Sequence, residues 1–290
     1  MSIKKSKTTR KNDVITILNE YQEEHRTVAS ERTMYAIKAL SKFFDNTHVK
    51  NVTIPLCRQY IAFRMDQGVA MSTTARELTT LRAACNHARK WKRITQEEMP
   101  IFEIPSNLPK RETWLLKDEL SALMSGDGTI VDFIKIAYYT GSRRGAIESL
   151  EWSQVNFDRK TISLSKQGEI ETSKKRPTVP MGGLESLLRR LYMTKKNEFV
   201  LGSDKCRYYE FEKHCISKGL LYVDDVDGRP AGKIVPHTLR HTRATHLLED
   251  GVSIYAVAKL LGDNPTTVQR VYGHISMGSL EDELAKSSFL

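Results

Sequence analysis

The sequence predicts a mainly α-helical chain with one small antiparallel β-sheet, divided into two domains. Three observations carry this expectation. Apolar residues recur at helical spacing between Val14 and Arg93, and again from Gly183 onward. The stretch "EEMPIFEIPSNLPKRE", beginning at Glu97, holds three prolines and breaks that periodicity, so residues 98–112 read as an interdomain linker. Between the helical regions, "VNFDRKTISLS" and "RPTVPM" show the β-branched alternation of strands and bracket the polar turn "KQGEIETSKK". The expected order is a basic tail over 1–11, a helical domain over 12–97, the linker, and a second domain over 113–290.

Each element has its own signal. Lys4, Lys5, Lys7, Arg10 and Lys11 precede the first acidic residue, Asp13, and such a tail is expected to reach along nucleic acid. Val14, Ile17, Leu18 and Tyr21 mark a first helix, and Tyr35, Ile37, Leu40 and Phe44 a second. A third starts near Thr53 with Pro55 in its first turn and stops at Gly68. The fourth runs from about Ser72 to Arg93, its apolar side carried by Leu78, Leu81, Cys85 and Ala88. On a neighbouring face, Arg82, Arg89 and Arg93 line up as candidate contacts to phosphate. The second domain opens with a helix in "WLLKDELSALMS", followed by an apolar helix that ends in "FIKIAYYTG". In "SRRGAIESLEW", Ser142 is the expected N-cap, which places Arg143 and Arg144 in a first helical turn. Helices through "HTLRHTRATHLLEDG" and "SIYAVAKLLGD", and a final one in "SLEDELAK", complete the chain.

Composition narrows the function classes. Hydrophobic residues make up 40% of the 290 and charged residues 28%, the profile of a soluble globular protein. No apolar run approaches a membrane span, and "MSIKKSKTTRKND" lacks the apolar stretch of a signal peptide. Cys57, Cys85, Cys206 and Cys215 form no C-x-x-C pair, so free thiols in a reducing cytosol are expected. The net charge of +10 is unevenly spread. Residues 1–110 hold 19 Lys and Arg against 11 Asp and Glu, whereas residues 111–290 hold 26 against 24. The positive field belongs to the N-terminal part, and its natural partner is a long polyanion.

Residues 236–246, "PHTLRHTRATH", raise the question of chemistry. His237 and His241 are four apart and share a helix face, as in zinc hydrolases built on H-E-x-x-H. Thr238 stands where that motif needs its glutamate, Arg240 sets a fixed cation beside any metal, and no carboxylate follows before Glu249. An anion site suits these residues better, and no metal or other cofactor is expected. The arginines of "TGSRRGAIESLEW" agree with that. Cations in a first helical turn oppose the helix dipole unless they help the free N–H groups there to hold a phosphate.

In their order and intervals, "TGSRRGAIESLEW", the lysines before "RPTVP", "HTLRHT" and "LLGDNPTTVQRVYGH" resemble the boxes of the tyrosine recombinase (phage integrase) family. The resemblance extends over residues 12–290. It implies an N-terminal helical, SAM-like core-binding domain and a C-terminal catalytic domain that exchanges DNA strands through a covalent 3′-phosphotyrosine, without ATP or metal. By the same resemblance Tyr272 is the nucleophile, Arg143 and Arg240 hold the phosphate, His237 joins them, and His241 stands behind. A phenol of ordinary pKa about 10 needs nearby cations to ionise at neutral pH, and the leaving sugar oxygen needs a proton. The family draws that proton from a lysine on the hairpin turn. Counting back from Pro180 selects Lys174, with Lys175 adjacent; counting forward from Trp152 permits Lys166. Two positions depart from the family pattern. Asp263 stands where histidine or tryptophan is usual, so it is expected to position a water or an arginine, and Ala146 replaces a carboxylate.

The implied partner is double-stranded DNA, bound by a homotetramer on two sites that is joined through the C-terminal segment. An accessory DNA-bending or directionality protein is a further possible partner, and the place of action is the cytoplasm, at the nucleoid. An integrase of a phage or integrated element is the leading expectation. A Xer-like dimer resolvase and a catalytically weak DNA-binding protein are the alternatives.

Overall fold

The computed structural model describes residues 12–25, 31–106, 108, 113–166, 168, 176–226 and 229–273. The basic tail, the lysine-bearing turn with Lys174 and Lys175, and the last segment with its expected helix lie outside the described residues. The chain divides into two compact units, Met1–Lys110 and Arg111–Leu290.

In the first unit, helices α1 (Val14–Glu24), α2 (Glu31–Phe43), α3 (Ile54–Asp66) and α4 (Met71–Lys90) enclose one core. Most of the periodic residues face inward, Val14, Ile17 and Leu18 from α1, Ile37 and Leu40 from α2, and Leu78, Leu81 and Cys85 from α4, whereas Tyr35 of α2 is exposed. Pro55 sits in the first turn of α3, where its missing N–H costs nothing. Glu77 is buried in this core as a paired carboxylate. It accepts from Tyr60 Oη at 2.6 Å and from Arg64 Nε and Nη2 at 3.0 and 2.8 Å.

The expected arginine stripe changes here. Helix α4 ends at Lys90 because Lys92 adopts a left-handed backbone (φ 57°), which turns Arg93 away from the helical row. Arg93 pairs with Glu20, at 3.2 Å, and with Glu24. Two carboxylates therefore occupy the guanidinium that was expected to meet DNA. Arg82 and Arg89 remain exposed on α4.

The second unit begins with α5 (Lys117–Leu123), α6 (Thr129–Thr140) and the short α7 (Arg144–Glu148). A three-stranded antiparallel sheet follows, with β1 (Val155–Asn156), β2 (Thr161–Ser163) and β3 (Thr178–Pro180) in that spatial order. Ile162 pairs with Val155 on one side and Val179 on the other. The single strand expected in "VNFDRKTISLS" is thus a hairpin. Asn156 Oδ1 accepts from Arg159 N at 2.8 Å, and Lys160 takes the left-handed position (φ 50°). Then come α8 (Glu185–Met193), α9 (Tyr208–Ser217), a two-stranded sheet of β4 (Tyr222–Val223) and β5 (Gly232–Lys233), and α10 (Pro236–Glu249), α11 (Ile254–Leu261) and α12 (Pro265–Tyr272).

Helix α10 is the axis of this unit. Pro236 opens it, and Thr238 Oγ1 accepts from Val235 N at 3.1 Å, satisfying a backbone donor at the helix entry. Thr238, Leu239, Arg240, Thr242, Ala244, Thr245, His246 and Leu248 are all buried, so the helix is enclosed over most of its circumference. Its buried polar groups are tied to neighbours: His246 bridges Tyr138 Oη (3.0 Å) and Leu115 O (2.9 Å), and Thr242 Oγ1 accepts from Leu115 N. Beyond it, Ala244, Leu248, Val257, Ala258, Leu261, Val268 and Tyr272 form a local core that fixes α11 and α12 against α10.

Candidate active site

Burial of α10 brings Arg240 to the centre of the second unit with only 3% of its surface exposed. Its Nη1 donates to Gly141 O and Leu261 O, both at 2.9 Å. These carbonyls end α6 and α11, and they meet because Gly141 has no side chain. Its backbone is left-handed (φ 61°), and a Cβ there would lie 2.6 Å from Leu261 Cδ2. Arg240 is thereby aimed by two helix ends, leaving Nη2 directed at Asp263.

Asp263 follows Gly262, the left-handed cap of α11. One carboxylate oxygen accepts from Arg240 Nη2, and the other accepts from Arg143 Nη2 at 2.8 Å. Asp263 thus binds two arginines, in line with the expectation that it positions an arginine. Arg143 occupies the N-cap position of α7, a place the sequence assigned to Ser142. Ser142 is instead buried, with its N–H directed at Thr140 Oγ1 (3.3 Å). This shift of one residue separates the two adjacent arginines. Arg143 reaches Asp263, while Arg144 turns to Glu148 at 3.5 Å and lies over the Tyr208 ring. Ala146 is buried, and the carboxylate of this helix is Glu148, which accepts from Arg207 N at 2.6 Å.

His237 and His241 stand one turn apart on α10, their rings 4.8 Å apart and almost perpendicular. His237 keeps part of its surface open to solvent, yet the protein packed around its ring disfavours the charged form. Arg240 and Arg143 add repulsion, and the net result is a lowered pKa despite the opposing pull of Asp263. His241 is more enclosed. Desolvation first, then His237 and Arg240, lower its pKa to about 4, so the ring is neutral at pH 7. Its Nδ1 lies 2.6 Å from the hydroxyl of Tyr272, a residue 7% exposed at the end of α12. Asn264 Oδ1 caps Thr266 N and Pro265 starts that helix, so Tyr272 is carried on a rigid element.

Asp263 therefore joins Arg143 and Arg240 by direct hydrogen bonds, His241 and Tyr272 form a second hydrogen-bonded pair, and His237 packs against His241. Two guanidinium groups near a phenolic hydroxyl form an arrangement chemically suited to holding a phosphodiester. Sequence reasoning placed His241 behind the phosphate contacts, and the structure sets its Nδ1 against the Tyr272 hydroxyl. The i, i+4 spacing from His237 was the available signal, since it sets both rings on one face. Of the lysines weighed, Lys166 is described, and its Nζ donates to Glu151 Oε1 at 2.6 Å. Among the described residues, no group of three His, Cys, Asp or Glu side chains is placed to hold a metal.

Residues 113–278 match the model of the phage integrase family. The chain belongs to this family. It is a tyrosine-type site-specific DNA recombinase. Among curated relatives of this recombinase, tyrosine recombinase XerC of Natranaerobius thermophilus is 24% identical over 244 residues, covering 80% of this chain and 81% of its own. Tyrosine recombinase XerD of Shewanella oneidensis is 25% identical over 272 residues, covering 87% and 89%. The fold is shared with the Tn1549 transposon integrase solved in complex with transposon right-end DNA, with a TM-score of 0.76 at 16% identity over 95% of this chain and 99% of that one. It is shared too with a lambda integrase dimer bound to a COC′ core site, with a TM-score of 0.66 at 18% identity over 89% and 76%.

Proposed function

We propose that Tyr272 of this recombinase attacks a DNA backbone phosphate held by Arg143, His237 and Arg240, giving a 3′-phosphotyrosine link and a free 5′-hydroxyl. The observation that carries this reading is that α10 holds Arg240, joined to Arg143 through Asp263, next in the chain to His241, which is hydrogen-bonded to Tyr272. Charge develops on the non-bridging oxygens as the phosphoryl group passes between oxygens, and fixed guanidinium groups stabilise it without reorganising. The leaving 5′-oxygen takes its proton from a hairpin lysine, Lys174 by the count from Pro180, with Lys175 and Lys166 as the alternatives. The new ester conserves the energy of the old one, so rejoining needs no nucleotide cofactor. A nicked suicide duplex carrying a core site, selected by the full chain from a randomised pool, is expected to give an SDS-resistant adduct. Tyr272→Phe is expected to abolish it, and an adduct that survives this substitution would overturn the assignment.

The likeness to the Tn1549 and lambda integrases supports the biology of a phage or integrated element. The curated relatives named XerC and XerD favour a second reading, resolution of chromosome or plasmid dimers, which shares every chemical step. Duplex DNA is gripped by the exposed Arg82 and Arg89 and by the basic tail of Lys4, Lys5, Lys7, Arg10 and Lys11. Strand exchange proceeds in a tetramer on two sites, coupled through the C-terminal segment, with an accessory DNA-bending or directionality protein as a further partner. A lambda integrase tetramer solved on a Holliday junction, with a TM-score of 0.65 over 87% of this chain, supports that assembly. Deleting residues 277–290 should spare single-site binding and suppress recombination.

A further inference from the structure

We infer that His241 is a catalytic residue that takes the phenolic proton of Tyr272 at Nδ1 during strand cleavage and returns it during rejoining. The inference rests on the reading of Tyr272 as nucleophile and adds what happens to its proton.

The geometry places an acceptor against the hydroxyl. His241 Nδ1 and Tyr272 Oη are 2.6 Å apart, within the reach required for direct proton transfer. Both groups are held. His241 lies on α10, enclosed over most of its circumference, and Tyr272 closes α12, whose Val268 is fully buried one turn earlier. For Nδ1 to accept, the neutral ring carries its proton on Nε2.

The surrounding charges set the direction of transfer. His237 and Arg240 face His241 from its own helix, Asp263 from the turn after α11, where it is also bound by Arg143 of α7, and Tyr272 from α12. Burial and the nearby cations keep the ring unprotonated, so Nδ1 is available before attack. A free phenol would not surrender its proton to so weak a base. As the Oη–P bond forms, however, the phenolic oxygen gives up electron density and its proton becomes strongly acidic. Transfer is then favourable within the transition state, where general-base catalysis operates.

The step balances. Tyr272 Oη bonds to phosphorus and its proton moves to His241 Nδ1; the P–O5′ bond breaks, and the 5′-oxygen is protonated by the hairpin general acid. In the reverse direction the 5′-hydroxyl attacks and gives its proton back to the hairpin group, the Oη–P bond breaks, and the imidazolium protonates the departing phenolate. The cations that keep His241 neutral in the free protein also make its imidazolium a strong acid, which suits that return.

The test is the pH dependence of single-turnover adduct formation on the suicide duplex, comparing the unmodified protein with His241→Asn and His241→Ala. Asparagine can retain a hydrogen bond near the Nδ1 position and cannot accept a proton at neutral pH. The unmodified protein should show a nearly flat rate between about pH 6 and 9, and both variants should be slower at pH 7 by about a hundredfold or more. Their rates should climb about tenfold per pH unit over that range, as ionisation of the phenol itself replaces the missing base. DNA affinity and thermal melts of each variant establish that the fold is retained, and the isosteric asparagine serves if alanine does not fold. Asparagine within about threefold of the unmodified rate, or slow variants with an unchanged flat profile, would overturn the inference. No adduct from the unmodified protein would instead overturn the reading of Tyr272.

Discussion

Asp263 Oδ1 accepts a hydrogen bond from Arg143 Nη2 at 2.8 Å, and through its second oxygen the same carboxylate also binds Arg240. It spans the two guanidinium groups as two non-bridging phosphate oxygens would. This compensates the buried charge of Arg240, which would otherwise lie desolvated without an anion. On the proposed reading, the same carboxylate would repel a phosphodiester entering the site.

Asp263→Asn therefore separates these two effects. Asparagine keeps the size and removes the charge, so the free variant should lose about 1–3 kcal/mol of stability. Its Tm should fall by about 2–4 °C for each kcal/mol. Sulfate should restore the Tm of the variant more than it raises that of the unmodified protein, and adduct formation should accelerate. Equal sulfate responses in the two proteins would show that Asp263 does not compete for the anion seat.

Gly141→Ala tests how Arg240 is aimed. The substitution forces a side chain into left-handed backbone, costing roughly 1–2 kcal/mol, and drives a methyl group into Leu261, costing about 1–3 kcal/mol if α11 cannot retreat. We expect a lowered Tm and a still larger loss of cleavage, because Leu261 O is one of the two carbonyls that hold Arg240. A destabilised variant with full activity would place the aiming of Arg240 elsewhere.

What the sequence disclosed and what it withheld divide by distance along the chain. The residues of "HTLRHT" announce an anion site because their types and their helix lie within one short stretch. The periodicity of α1 to α4 is local in the same way. The carbonyls that fix Arg240 come from Gly141 and Leu261, 99 and 21 residues away, and no residue type marks a backbone acceptor in advance. Asp263 was readable as a departure from the family, but its contacts with Arg143 and Arg240 depend on the turn after Gly262. Arg93 was misplaced because a left-handed Lys92 breaks the helical row. Strands β4 and β5, two residues each, are too short to show alternation.

The general acid can be located by comparing lysine variants. Lys174→Ala should slow cleavage far more than it weakens DNA binding, since proton donation matters only in the transition state. A substrate with sulfur in place of the leaving 5′-oxygen needs little protonation and should rescue the variant. Lys166 already pairs with Glu151, and Lys166→Ala should be largely indifferent to the sulfur substitution. Rescue of Lys166→Ala alone would move the assignment to the lysine counted forward from Trp152.

Stability should fall with acidification, and His241 supplies a measurable share. Its folded-state pKa, about 4, lies below the unfolded value of about 6.5. Between those two values the unfolded chain binds a proton at this residue that the folded chain excludes. The contribution is complete above about pH 6.5, and it is lost progressively as pH falls toward about 4, a change on the order of 3 kcal/mol. His237 and His246 are shifted in the same direction and add to the slope, so the unmodified profile alone does not isolate His241. The discriminating measurement is the difference between urea unfolding of the unmodified protein and of His241→Gln, each at pH 7 and near pH 4.5. The glutamine variant should start less stable at pH 7, having lost the contact with Tyr272, and should lose less on acidification. Parallel pH profiles for the two proteins would mean that His241 titrates alike in the folded and unfolded chains, and that its ring is not held neutral by burial and the neighbouring cations.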